Sequence, residues 1–244
     1  MASRAGLLLA ALGLVAGCDA PSSRGGGSET TPTLPVASAS AVVPEPPRPP
    51  DIVIDASNVS VGNSRVATGE LGLADKLAVF LKGRPLIEGS VVSFVAMRNA
   101  RPSPVVALVS ALRAAKATSA VVHTEARDGT TQQVPVSFTT SVADCTTVAW
   151  IAKDSAIDVW PAGGGTARRV IKGLAGPDMT LGTEAMRKQW TGCGASEIAL
   201  GADDVLTWGL VFDLAMAAVQ ASGAHPSTAV LVTAPSPGRK LTLQ

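Results

Sequence analysis

Cysteine and histidine are the residues best equipped for chemistry in this chain, and there are only three of the first and two of the second. Cys18 stands directly after Leu14-Val15-Ala16-Gly17, in a context of its own. That leaves Cys145 and Cys193 as the thiols of the later sequence. Neither has a His or Cys neighbour at metal-ligand spacing, so in an oxidising compartment the pair suggests a disulfide, with two buried free thiols as the plain alternative. A loop of that length, cross-linked, gains roughly 4 kcal/mol in the chain-entropy model. His123 lies in an apolar, strand-like run and His225 precedes Pro226; a packed strand position and a loop position account for them. There is no His-x-x-x-His, no Gly-x-Ser-x-Gly and no Ser-x-x-Lys. No catalytic residue, metal ligand or cofactor is therefore assigned, and the chain is not expected to be an enzyme.

Three further groups have two readings each. Gly163-Gly164-Gly165 beside Arg168-Arg169 can cradle an anion on backbone N–H groups, or form a hairpin turn with a solvated basic flank. Asp203 and Asp204 precede an apolar helical run. They read either as paired carboxylates or as a helix cap that complements the dipole. Trp160, Trp190 and Trp208 are the candidates for contact with a partner, because Trp is enriched in binding hot spots. Core packing competes for at least two of them.

Composition narrows the function classes. Hydrophobic residues make up 46% of the 244 and charged residues 16%, enough for one large or two small packed domains. Aromatics are 3%, with no Tyr, which leaves few rings for stacking on sugars or bases. Lys and Arg number 20 against 19 Asp and Glu, and Arg4 is the only charge in the first 17 residues. Without that segment the chain is formally neutral and a poor partner for nucleic acid.

Residues 1–17 read as a signal peptide: Arg4 gives the positive start and 7–16 the apolar stretch, too short to span a bilayer comfortably. Leu14-Val15-Ala16-Gly17-Cys18 resembles the bacterial lipobox, which implies diacylglycerol on Cys18 and stable membrane attachment. Asp19 follows and resembles an inner-membrane retention signal, but either membrane stays open. Residues 18–50 then carry the lipidated Cys and a Pro/Ser/Gly-rich tether. As a coil it spans roughly 30 Å, and stretched as polyproline II towards ~100 Å. The expected location is the cell envelope, facing the periplasm.

From Asp51 onward the sequence repeats itself. Ser90-Val91-Val92-Ser93-Phe94-Val95-Ala96 lines up with Ser196-Glu197-Ile198-Ala199-Leu200-Gly201-Ala202. Ala111-Leu112-Arg113-Ala114 lines up with Ala218-Val219-Gln220-Ala221, and residues 119–124 with 228–233. Three ordered blocks point to a duplicated domain, 51–140 and 141–244. Each copy is expected to open with strands (52–54 and near 59–61; 147–151 and near 157–160). A short helix follows (73–81; 183–189), then a buried strand, a longer helix (104–116; 206–221) and a closing strand. Residues 134–139 add a strand between the copies. Strand–helix–strand with short joints favours parallel pairs. The fold class is α+β (α/β): two tandem units, each a small mixed sheet with two helices packed on one face.

Acidic residues after a short strand (Ala202-Asp203-Asp204), an aromatic early in the next helix (Trp208) and then Ala229-Val230-Leu231-Val232-Thr233 follow in order. With the opening Val148-Ala149-Trp150-Ile151-Ala152-Lys153-Asp154 turning into Ile157-Asp158-Val159, this pattern resembles the periplasmic domain of the ExbD/TolR biopolymer-transport family. The resemblance implies a small dimerising α/β domain that meets the cell wall or envelope proteins beside a proton-driven motor of the ExbB/TolQ type. Family members carry a transmembrane helix with a proton-conducting Asp; the apolar segment 6–17 has no acid. The resemblance therefore implies binding or scaffolding, through envelope proteins or peptidoglycan, and not transport. The alternative is a structural lipoprotein that binds peptidoglycan with no link to a motor.

Overall fold

The structure, a computed structural model, describes residues 51–82, 84, 86–193, 195–222, 227–230 and 235–243. The proposed lipidation site Cys18, the tether and His225 lie outside the described residues.

Eleven strands form one mixed sheet in the order β3-β2-β1-β4-β5-β6-β11-β10-β7-β8-β9. The strands are β1 (Ile52–Ile54), β2 (Asn58–Val61), β3 (Ser64–Ala67), β4 (Val91–Ala96), β5 (Ser119–Glu125) and β6 (Thr131–Ser137), then β7 (Thr147–Ile151), β8 (Ile157–Pro161), β9 (Arg168–Val170), β10 (Glu197–Ala202) and β11 (Ser227–Val230). Helices α1 (Leu73–Leu81), α2 (Pro102–Ala114), α3 (Met179–Trp190) and α4 (Trp208–Ser222) connect them. The two halves follow one order. A three-stranded antiparallel meander comes first; a helix leads to a strand lying parallel beside the meander's first strand; a second helix leads to another parallel strand. The strand order therefore reads alike from either edge. β6 is the exception, antiparallel to β5 and parallel to β11, and the latter contact rests on one pairing, Thr228 opposite Val136. It follows that β5 and β11 run in opposite directions.

Alternation decides what each strand buries. In β4, Val92, Phe94 and Ala96 point into the core while Val91, Ser93 and Val95 stay exposed. All four helices contribute to the core on that inner face: Leu73, Leu77 and Leu81 of α1, spaced by four; Val105, Leu108, Ala111 and Leu112 of α2; Ala185 and Met186 of α3; Val211, Phe212, Leu214, Ala215 and Ala218 of α4. Residues of both halves belong to this single cluster, and the connection near residue 140 separates β6 from β7 without dividing it. On the other face of the second half a smaller cluster forms. Val148, Trp150 and Trp160 are covered by Leu241 and Leu243 of the C-terminal segment.

Several boundaries differ from the sequence expectation for local reasons. α2 begins at Pro102, whose missing N–H costs nothing in the first turn, and ends before Lys116, which takes a positive φ of 61°. α3 starts four residues earlier than expected because Asp178 accepts the Leu181 N–H at 3.0 Å. β3 and β9 were not expected: each is an edge strand with one buried residue, Val66 or Val170, so neither shows a periodic signal.

Candidate functional site

The seam where the halves meet holds a polar network that begins with backbone. β4 and β10 each end in a short loop that leads into a helix, residues 97–101 before α2 and 203–207 before α4. These loops cap each other's helices. Trp208 and Gly209, at the start of α4, donate their N–H groups to the carbonyls of Ala100 (2.7 Å) and Arg98 (2.9 Å). In return the Asp204 carboxylate accepts the Ser103 N–H of α2 at 2.9 Å. Orphan donors of both helix starts are thus satisfied from the opposite half. The Trp208 indole N–H then reaches the buried Thr124 hydroxyl of β5 at 3.0 Å.

Asp213, one turn into α4, closes the seam. Arg98 grips its carboxylate with two parallel bonds, 2.9 and 2.8 Å, and Arg127 of the β5–β6 turn adds Nε at 2.9 Å and a terminal nitrogen at 2.8 Å. A bidentate guanidinium–carboxylate pair is the strong geometry for such a contact. The Asp213 bond holds the Arg98 guanidinium above its usual pKa, against the opposing effect of burial. A groove of about 770 Å³ opens beside this clasp. Met179, Phe212 and Met216 make it apolar, and Arg127, Asp128, Glu184 and Arg187 give it charge. Asp128 is held below the usual carboxylate range by the Thr130 hydroxyl and N–H, and Glu184 by Lys188. Such a surface suits contact with a mixed polar and apolar partner. Among the described residues no group of three or more His, Cys, Asp or Glu is placed to hold a metal ion.

The residues singled out in the sequence fall in different places. Cys145 and Cys193 form a disulfide with Cα atoms 5.6 Å apart, tying the entry to β7 to the loop before β10. Of the three Trp candidates for partner contact, Trp160 and Trp208 pack in the core, the fate expected for at least two of them, and their indole N–H groups are taken by the Arg239 carbonyl (3.1 Å) and Thr124. Trp190 is half-buried against the main core. His123 is a half-buried position of β5 opposite Gln133. The triple glycine is a turn between β8 and β9. Its N–H groups donate to the carbonyls of Asp144, Pro161 and Gly238, which leaves none for an anion. Glycine is needed there because the C-terminal segment passes close: Gly164 has φ 93°, and a Cβ on it would lie 3.1 Å from the Lys240 nitrogen. Arg169 pairs with Asp158 and Asp154, at 2.8 and 2.6 Å. Asp204 does cap a helix, but that of the other half. Arg98, Arg127 and Asp213 were not singled out; their one signal is a lone acid, Asp213, inside an otherwise apolar helical run.

Comparison with family models, curated proteins and solved structures finds no match. No described helix is long and apolar enough to cross a membrane.

Proposed function

We propose that this chain is a lipid-anchored binding or scaffold module of the cell envelope. Its folded part is read as two copies of an ExbD/TolR-like unit packed together as an internal counterpart of a dimer. The observation that carries this reading is the strand order, the same from either edge, with matching helices between matching strands. The reciprocal capping supports it further: Ser103 to Asp204 and Gly209 to Arg98 join corresponding positions of the two loops, as an isologous contact does. Within this reading the repeat blocks align with two shifts of one residue. Val91 pairs with Ser119, and Glu197 with Ser227. The closing strands therefore correspond as Ser119 to Ser227, one residue from the match to Thr228 that residue types favour. The burial of α2 and α4 likewise sets Ala111 against Ala217 rather than Ala218.

The lipobox resemblance at Cys18 supports the anchor, and the Pro/Ser/Gly stretch that follows suits a tether reaching into the periplasm. That same stretch favours the second reading, a structural lipoprotein on peptidoglycan with no motor. Cross-linking the full-length chain in its own cells, followed by purification with and without isolated sacculi, separates the two. Recovery of proton-driven inner-membrane proteins is the result expected. Retention on bare sacculi alone favours the second reading, and a cytosolic chain with unmodified Cys18 overturns both.

A further inference from the structure

At the outer edge of the second half the chain passes from β9 to α3 through residues 171–178. The Gly173 N–H donates to the Gly176 carbonyl at 2.8 Å, and the two residues bridge, closing a tight turn. Leu174 stands fully exposed in this turn, Ile171 just before it is 75% exposed, and Leu181 on the first turn of α3 is 43% exposed. Single exposed aliphatics are ordinary on a protein surface. Two nearly bare on one short connection, with a third on the helical turn that follows, mark a contact site.

Charge narrows the partner. Arg168 and Lys172 flank the turn and are exposed, whereas Arg169 is engaged by Asp154 and Asp158. Between residues 162 and 183 the only acid is Asp178, and its carboxylate accepts the Leu181 N–H; Glu184, the next acid on α3, pairs with Lys188 and also feels the charge of Arg168. An aliphatic tip beside exposed cations complements a bilayer interface with anionic headgroups, where the aliphatics enter the acyl boundary and the cations stay among the phosphates. Three side chains are too few for a stable protein interface, which buries on the order of 1,000 Å² or more. We propose that the turn at 171–174 inserts into an anionic lipid bilayer surface. The corresponding connection of the first half differs where it matters. Leu71 is exposed there too, but its neighbour Glu70 is an acid paired with Lys76, whereas Leu174 has the exposed Lys172 two residues before it. That loop stays in water. The proposal requires neither acylated Cys18 nor duplication, so it can fail while the envelope reading stands, and the reverse.

The test is made on the full chain carrying Leu174→Trp, mixed with vesicles whose acyl chains are brominated, with or without one third phosphatidylglycerol. Because any anchor is common to all variants, quenching reports depth at residue 174. Brominated anionic vesicles should reduce the added emission about two-fold relative to unbrominated ones, as for a side chain at the acyl boundary. Lys172→Glu should abolish the effect, and Leu71→Trp should show none. Emission indifferent to bromine, or equal quenching at 71 and 174, overturns the proposal, as does cross-linking from 174 to a protein without quenching. Far-UV circular dichroism confirms that each variant is folded. Leu174→Ser, scored by vesicle flotation with Cys18→Ser, provides an independent reading.

Discussion

One carboxylate at the seam serves two guanidinium groups, and that sets the cost of removing it. Asp213 is 16% exposed in its side chain and Arg98 28%, so the pair is partly desolvated and worth more than a surface contact. Asp213→Ala leaves Arg98 without its acid and should lower unfolding stability by about 2 kcal/mol, read from the urea midpoint. Arg127→Ala, with 70% of its side chain in water, should cost well under 1 kcal/mol. A second residue-scale prediction concerns acid. Asp154 is held below the usual carboxylate range first by the Ala156 N–H and then by Arg169. A depressed carboxylate stabilises the fold above its unfolded pKa, about 3.9, and that contribution disappears as pH falls through the lower folded value. Urea midpoints of the parent and Asp154→Asn should differ at pH 6, and the gap should begin to close only as pH falls below the unfolded value of about 3.9; a constant gap would mean that the Asp154 charge does not stabilise the fold.

Among the elements, the disulfide makes the largest single prediction. The bond between Cys145 and Cys193 spans a sequence separation of 48, for which the chain-entropy relation gives about 4 kcal/mol. Cys145→Ala with Cys193→Ala should lower stability by up to that amount; an unchanged midpoint under reducing conditions would show that the bond does not form. That pairing was legible because the two thiols have no metal partners in sequence and the lipobox resemblance led to the expectation of an oxidising compartment. The central elements were legible too: α1 has Leu73, Leu77 and Leu81 on one stripe, and β7 is a short run, Thr147 to Ile151, whose length and β-branched residues favour a strand. The edge strands were not, since an edge needs only one buried side chain and β3 and β9 spend the rest on solvent. Nor was the seam. Arg98 and Asp213 lie far apart in sequence, and nothing local in either marks the other. The Trp residues show the limit most plainly. Residue type makes Trp160 and Trp208 equally good as anchors for a partner or for the core, and only the packed C-terminal segment and Thr124 decide.

At the scale of the whole molecule, the question is whether two halves with the same element order behave as one cooperative unit. Their sheet contact is thin, a single pairing between β6 and β11, and if that were all, each half would unfold on its own. The helix layer argues otherwise. α4 takes its first caps from Ala100 and Arg98, α2 takes one from Asp204, Trp208 is bonded to Thr124, and apolar residues of both halves share one core. Losing one half would strip the other of caps worth roughly 1 kcal/mol each and expose core surface besides. All four Trp residues, Trp150, Trp160, Trp190 and Trp208, belong to the second half. The emission of Trp150, Trp160 and Trp190 therefore reports on that half and that of Trp208 on the seam, where it meets Thr124, while far-UV circular dichroism follows both halves. With the disulfide intact, the two signals should trace the same urea transition, as two-state unfolding requires. Asp204→Ala combined with Asp213→Ala weakens the seam from two sides and should move both midpoints together. If emission and dichroism separate in the parent chain, the halves are independent domains joined by β6, and the shared core does not couple them.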